Sequence, residues 1–463
     1  MELRTLCALL ACAVAPARAA LNVDLESPAS IRAAAKQVAA NLMSYYNGDK
    51  PGMTPGILPG PPPDGDYYWW QGGAMWGTMV DYWHYTNDTT YNGKTEHALV
   101  FQSNPPKNNY EPSNWTASLG NDDQGFWALS AMLAAETTFQ NPPPEDAQWL
   151  ALAEAVFNRQ AARWDTEHCG GGLRWQIPFT NNGYNYKNSI ANGILFNLGA
   201  RLARYTDNDT YAEWAGKVWD WTVSVGFIDA EYNIFDGAHV GTNCTDFNKA
   251  QFSYSPAIFI QGMAFLYNYT NGKEPWNSRL QTLTKRTLDH FFPDGIAVEP
   301  ACELESHVQC TTDMLSFKGY VHRFIAQALQ VAPILMDTVM PVLRSSAKGM
   351  VDSCNPDGTC GFRWNRGQYD GQTGAGQQMN ALGALMSLLV VEEPVLEPVT
   401  NKTGGTSLGN PSAGTEEDEV EIDKPITTAD RAGAGILTTL GLACLIGAFG
   451  WMSSTFGEGV KLR

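Results

Sequence analysis

Positive charge is scarce in this chain. Thirty Lys and Arg stand against 48 Asp and Glu in 463 residues, a formal charge of −18. That balance repels polyanions and excludes nucleic acid as a natural partner. Histidine is scarcer, at seven. His84, His168, His239 and His322 share no metal-ligand spacing, and no glycine-rich phosphate loop appears. The expectation is an activity with no metal and no cofactor. Strand-like alternation never persists long enough to argue for a sheet domain. What the chain has in quantity is aromatic surface, with 15 Trp and 18 Tyr. That density fits a carbohydrate-handling surface, although large cores also use it.

The two ends place the chain in the secretory route. Arg4 precedes an apolar run from Leu6 to Val14, and Ala17-Arg18-Ala19 has the small-x-small cleavage pattern, so 1–19 reads as a signal peptide. Six glycosylation sequons follow, at Asn87, Asn114, Asn208, Asn243, Asn268 and Asn401. Setting aside Cys7, Cys12 and Cys444, six cysteines remain: Cys169, Cys244, Cys302, Cys310, Cys354 and Cys360. An even count in a secreted chain implies disulfides. Cys302/Cys310 and Cys354/Cys360 are close enough to close short loops, which leaves Cys169/Cys244, a preference among fifteen connectivities. At the other end, 396–431 reads as a polar, acidic stalk and 432–463 as an apolar terminal segment. Ala432 to Met452 is long enough to cross a bilayer. It is either the signal for a GPI anchor, attached near Ser412-Ala413-Gly414, or a transmembrane helix followed by basic Lys461 and Arg463.

Between these ends, 20–395 alternates two kinds of helix. Amphipathic segments lie near 28–46, 90–102, 145–164, 209–224, 276–292 and 332–349. Segments apolar on every side begin near Trp69, Asp122, Lys187, Ser253, Phe317 and Gln377. A helix apolar all round is buried, and an amphipathic one covers it. Twelve helices in two rings make an all-α (α/α)6 barrel.

Gly120-Asn121-Asp122-Asp123-Gln124-Gly125-Phe126-Trp127 is the densest chemical stretch. Two carboxyls open a buried helix. Helix capping explains one Asp; two, followed by aromatics, fit glycoside hydrolysis, which needs a pair of carboxyl groups. Adjacent residues suit the short separation of a retaining pair, about 5–5.5 Å, better than the longer one of an inverting pair. In a barrel, the residues opening the inner helices converge on one mouth. Trp69, Trp70, Gln124, Trp127, Tyr186, Lys187, Asn188, Tyr254 and Gln377 are therefore the candidate sugar contacts. Lys187 would bind a phosphate, orient a carboxylate, or pair with one of the aspartates.

Tyr68-Trp69-Trp70, the Gly120–Trp127 stretch, Gln148–Ala153, Cys169–Gln176, Asn182–Asn188 and Ala200–Tyr205 together carry a resemblance. From about residue 21 to 392 the chain resembles the fungal mannan endo-1,6-α-mannosidases of glycoside hydrolase family 76, of the Dfg5/Dcw1 type. The resemblance implies an (α/α)6 barrel and a retaining mechanism on α-1,6-mannose linkages. It makes Asp122 the nucleophile and Asp123 the general acid/base. It also implies a monomer at the outer face of the plasma membrane and the cell wall. There it would cleave α-1,6-mannan or the mannose core of a GPI glycan and pass it to wall glucan as a transglycosidase. The alternative class is a non-catalytic, mannan-binding scaffold of the wall.

Overall fold

The computed structural model describes residues 20–304, 309–392, 396–415 and 428–456. The signal peptide, most of the acidic part of the stalk and the basic tail lie outside the described residues.

Twelve helices alternate between two rings. The outer ring is α1 (Pro28–Ser44), α3 (Asn92–Gln102), α5 (Trp149–Ala162), α7 (Asp209–Ser224), α9 (Trp276–Phe291) and α12 (Met336–Asp352). The inner ring is α2 (Trp69–Thr86), α4 (Asn121–Glu136), α6 (Ser189–Thr206), α8 (Tyr254–Tyr269), α11 (Phe317–Val331) and α13 (Ala375–Met386). Each inner helix packs on the next, and α13 closes on α2. This is the expected (α/α)6 barrel. A four-residue helix, α10 (Pro300–Glu303), lies between α9 and α11.

The patterning explains the rings. Nearly every residue of α4, α6 and α11 is buried, whereas α7 and α9 bury one stripe only. Small residues let inner helices approach closely. A Cβ at Gly73 would come within 2.8 Å of the Trp127 ring, and one at Gly262 within 2.6 Å of Phe196. The barrel axis is a packed interior with charges satisfied in pairs: Arg201 Nη2 meets Glu136 Oε2 at 2.6 Å, and Arg323 Nε meets Asp81 Oδ2 at 2.5 Å. Buried pairs of this kind hold register more than they add stability.

A small antiparallel sheet borders the mouth, formed by β1 (Tyr186–Asn188), β2 (Gly237–His239) and β3 (Phe247–Asn248) in that order. The preferred disulfides form: Cys169–Cys244, Cys302–Cys310 and Cys354–Cys360. Cys444 is a free thiol. All six sequon asparagines are exposed.

The expected stalk does not begin at 396. The chain divides into two compact units, Met1–Gly414 and Thr415–Arg463. Residues after 396 strap the barrel body: Val399 N–H donates to Glu136 O and Asn401 N–H to Tyr205 O. Leu150 N–H donates to Ser407 Oγ, and Asn158 Nδ2 to the carbonyls of Pro411 and Ala413. Unpaired backbone groups on the packed body give this polar segment partners that its composition alone does not reveal. In the second unit, α14 (Thr428–Phe456) contains an apolar stretch, Gly435–Met452, of mean hydropathy 1.7. It is long enough to cross a bilayer.

Candidate active site

The start of α4 is built by its own side chains. Gly120 is extended (φ −94°, ψ 161°), and its N–H donates to Asp123 Oδ2 at 2.8 Å. The N–H of Asp123 donates to Asp122 Oδ1 at 3.1 Å. Capping is therefore one thing these aspartates do. Both carboxyls also line a cleft of about 470 Å³ at the barrel mouth. A Cβ added to Gly120 would lie 2.3 Å from Asp122 Oδ1 and 2.3 Å from Asp123 Oδ2, so these two oxygens are at most twice that distance apart. Two carboxyls this close lie on the retaining side of the spacing rule for glycosidase pairs.

A half-buried ionic frame holds this turn from behind. Glu111 Oε1 meets Arg159 Nε at 3.0 Å and Arg163 Nη1 at 2.6 Å. Arg163 Nε donates to Asn121 Oδ1 at 2.9 Å, and Asn121 Nδ2 donates to Arg174 O at 2.8 Å. In front, Asn188 Nδ2 donates to Asp122 Oδ2 at 3.2 Å, while its own Oδ1 caps α6.

The two carboxyls are not equivalent. Burial pushes both above the usual carboxylate range. For Asp122 the Asn188 amide and the Asp123 N–H oppose that rise by bonding the charged form. For Asp123 the charge of Asp122 adds to it, as does that of Asp313. The pair therefore ionises at Asp122 first, and Asp123 keeps its proton. Two carboxyls pushed apart in this way can take opposite roles, one anionic and one acidic.

Aromatic faces surround them. Trp70 packs on Phe126 with ring centroids 4.6 Å apart, and its Nε1 donates to Asp313 Oδ1 at 3.0 Å. Tyr254 stacks on Phe317 at 3.9 Å, nearly parallel. Tyr186 donates its hydroxyl to Asp236 Oδ2 at 2.7 Å. Of the sequence candidates, Trp70, Tyr186, Asn188 and Tyr254 line the cleft with Asp122 and Asp123.

The other five do not. Trp69 and Trp127 stack on each other inside the core at 5.3 Å, and Trp69 Nε1 is bound by Gln102. Gln124 is buried against the ionic frame, with its Nε2 donating to Asn109 O and Glu111 Oε1. Gln377 is buried and not among the lining residues. Lys187 faces away from the cleft: its Nζ donates to the carbonyls of Asp165, His168 and Gly171 and pairs with Asp165 Oδ2 at 3.3 Å. The reason is strand geometry, since successive side chains of β1 point to opposite faces. Tyr186 and Asn188 take the cleft side, and Lys187 takes the other.

Sequence reasoning passed over Asp236, Asp313, Trp175, Gln176 and Phe252, which also line the cleft. Trp175 and Gln176 sat inside a quoted motif; the two aspartates lie on loops with no local signal. Among the described residues lining the cleft none is Lys, Arg or His. No group of three or more described His, Cys, Asp or Glu could hold a metal ion.

Comparison with known proteins settles the family. The model of glycosyl hydrolase family 76 matches residues 30–402. The chain belongs to glycosyl hydrolase family 76. It is thus a glycosidase, and its matched span takes in the barrel and the start of the strap. The mannan endo-1,6-alpha-mannosidase DCW1 of Saccharomyces cerevisiae is 42% identical over 430 residues, covering 91% of this chain and 92% of that protein. A crystal structure of Dfg5 from Chaetomium thermophilum in complex with glucosamine superposes with TM-score 0.80 at 50% identity, over 84% of this chain and 97% of that one. An inactive variant of a family 76 alpha-1,6-mannanase of Salegentibacter sp., in complex with alpha-1,6-mannotriose, shares the fold at TM-score 0.63 and 15% identity. It covers 78% of this chain and 100% of that one.

Proposed function

We propose that this glycosidase is a retaining endo-α-1,6-mannosidase with Asp122 as nucleophile and Asp123 as general acid/base. The observation that carries the reading is the meeting of two adjacent carboxyls in one cleft, with Asn188 Nδ2 donating to Asp122 Oδ2 at 3.2 Å and the charge of Asp122 adding to the burial that raises Asp123. In the first step Asp122 attacks the anomeric carbon while Asp123 protonates the departing glycosidic oxygen, leaving a mannosyl ester on Asp122. Asp123, now a carboxylate, removes a proton from the incoming hydroxyl, which displaces Asp122 and restores both groups. Trp70, Tyr254 and Phe317 offer apolar faces to pyranose rings. The choice of α-1,6-mannose rests on relatives near 40% identity named mannan endo-1,6-alpha-mannosidases.

The incoming hydroxyl decides between hydrolysis and transfer. The reading adopted is transfer at the outer face of the plasma membrane and cell wall, with a GPI-core glycan as donor and wall glucan as acceptor. An apolar helix that can hold the protein at a membrane supports that setting. The test is to trap the ester with a fluorinated mannosyl donor and map the labelled peptide. Label on Asp122 is expected. Label elsewhere, or product of inverted configuration, would overturn the assignment.

A further inference from the structure

A third carboxyl stands in the cleft without a part in this scheme. Asp313 lies between the Cys302–Cys310 disulfide and the 3-10 turn Met314–Ser316 that leads into α11. Three contacts fasten its loop to the start of α2. Thr312 Oγ1 donates to Asp66 O at 2.8 Å, Gln71 Nε2 donates to Thr312 O at 3.3 Å, and Trp70 Nε1 donates to Asp313 Oδ1 at 3.0 Å. An indole N–H can only donate, so it orients the carboxyl without neutralising it. The group so held opens on the cleft that Asp123 also lines.

We propose that Asp313 is a positioning residue for the catalytic proton: its negative charge, held by Trp70 on the cleft that Asp123 also lines, keeps the proton on Asp123. This rests on the reading of Asp123 as the general acid/base. The groups around Asp123 are Asp122 on α4, Asp236 with Tyr186 beside the sheet, Tyr68 with Trp70 at the start of α2, and Tyr254 on α8. None of these carries positive charge to cancel an anion at 313. The charge of Asp313 is among those that raise Asp123. Burial brings Asp313 itself to about 6, with the Trp70 N–H opposing. It is therefore charged above roughly that pH, where an ordinary carboxylic acid has long lost its proton.

The arrangement serves both half-reactions. Before attack, Asp122 and Asp313 together hold the proton on Asp123. In the ester Asp122 has lost its charge, and Asp313 remains an anion that makes Asp123 a stronger base toward the incoming hydroxyl.

Two measurements decide the matter on the full chain. The first is kcat/KM against pH with α-1,6-mannotetraose for the wild type, Asp313→Asn and Asp313→Glu. Asn keeps an oxygen for the Trp70 N–H and removes the charge. Its basic limb should move down by about one pH unit, a ten-fold loss at a fixed pH on that limb. The acid limb, set by Asp122, should stay, and Asp313→Glu should restore the basic limb. A uniform loss with neither limb displaced, or both limbs displaced together, would overturn the proposal. The second is a substrate-free NMR titration of ¹³C-carboxyl-labelled aspartates. The Asp123 midpoint should fall in Asp313→Asn, and an unchanged midpoint would overturn it. If the wild type leaves mannotetraose intact, the functional reading fails while the titration still decides the role of Asp313.

Discussion

Gly120→Ala is the sharpest test of the catalytic turn, because its cost should fall on activity and hardly on the fold. The backbone at Gly120 (φ −94°, ψ 161°) is extended and open to any residue, so no strain attends the change. The added methyl would sit 2.3 Å from one carboxyl oxygen each of Asp122 and Asp123 and 3.2 Å from Trp175 O. Ordinary contact requires each carboxyl to retreat by about 1 Å. Both can do so by rotating, since each sits at the end of a side chain. The fold then loses one cap bond, Gly120 N–H to Asp123 at 2.8 Å, worth about 1 kcal/mol. A 1 Å displacement of the reacting groups costs on the order of 10²-fold in rate. The expected variant melts within a few degrees of the wild type and loses about two orders of magnitude in kcat/KM on α-1,6-mannooligosaccharides. A stable Gly120→Ala protein with undiminished kcat/KM would show that the two carboxyls need not approach as the structure places them.

Other outcomes follow from the same contacts. Asp122→Ala and Asp123→Ala should each lose several orders of magnitude in rate, and the double variant little more, because both serve one double displacement; additive losses would separate them. With a donor whose leaving group needs no protonation, Asp123→Ala should accumulate the mannosyl ester while Asp122→Ala forms none, as mass spectrometry would show. Trp70→Ala, at a buried wall of the cleft, should raise KM as well as lower stability, whereas Trp127→Ala should lower stability by roughly 3–5 kcal/mol with KM unchanged, read by kinetics and denaturant titration; a KM effect at Trp127 and none at Trp70 would refute their placement. Lys187→Met should destabilise by roughly 1–3 kcal/mol, since it leaves the carbonyls of Asp165, His168 and Gly171 without their donor while Asp165 keeps Arg174 Nη2 at 2.8 Å; a change in KM alone would return Lys187 to the cleft. Glu299 is fully buried against Ser253, and burial raises it to about 8. A raised folded pKa means that its contribution is present below the unfolded value near 4.5 and is lost as pH rises toward 8. Glu299→Gln should flatten the pH dependence of Tm between those limits, and an unaltered slope would refute it.

The two rings were legible because each helix type leaves its own pattern. The outer helices show one apolar stripe and the inner ones show apolar or small residues all round, so their order and starting points followed from the chain. The barrel's closure and the carboxyl pair at one inner-helix start came with them. The strap after 396 was not legible, because its polar, glycine-rich composition is that of a free linker. What makes it structure is a set of backbone and amide hydrogen bonds to α5 and to the ends of α4 and α6. A polar segment leaves no mark in its own sequence when its partners lie hundreds of residues away.

The misplaced site residues share a deeper cause. An amphipathic helix announces which way it faces; a helix buried on every side has no such moment, so its rotation about its own axis is invisible in the sequence. In α4 the cleft receives Asp122, Asp123 and, one turn on, Phe126, while Gln124 and Trp127 point to the ionic frame and the core. All five belong to one short stretch, and only the packing of α2, α5 and α6 around α4 selects among them. At the next inner helix the ambiguity is one of period. Read as the opening of a helix, Tyr186, Lys187 and Asn188 all reach the mouth; as a strand, alternate residues do, and the cation goes behind. The cleft is consequently acidic and aromatic with no cation among the described residues that line it, a setting that favours protonated carboxyls over anion binding. The proposed pair, Asp122 and Asp123, could be read from the sequence because two adjacent carboxyls at a helix start stay close to each other whatever the rotation of the helix that bears them.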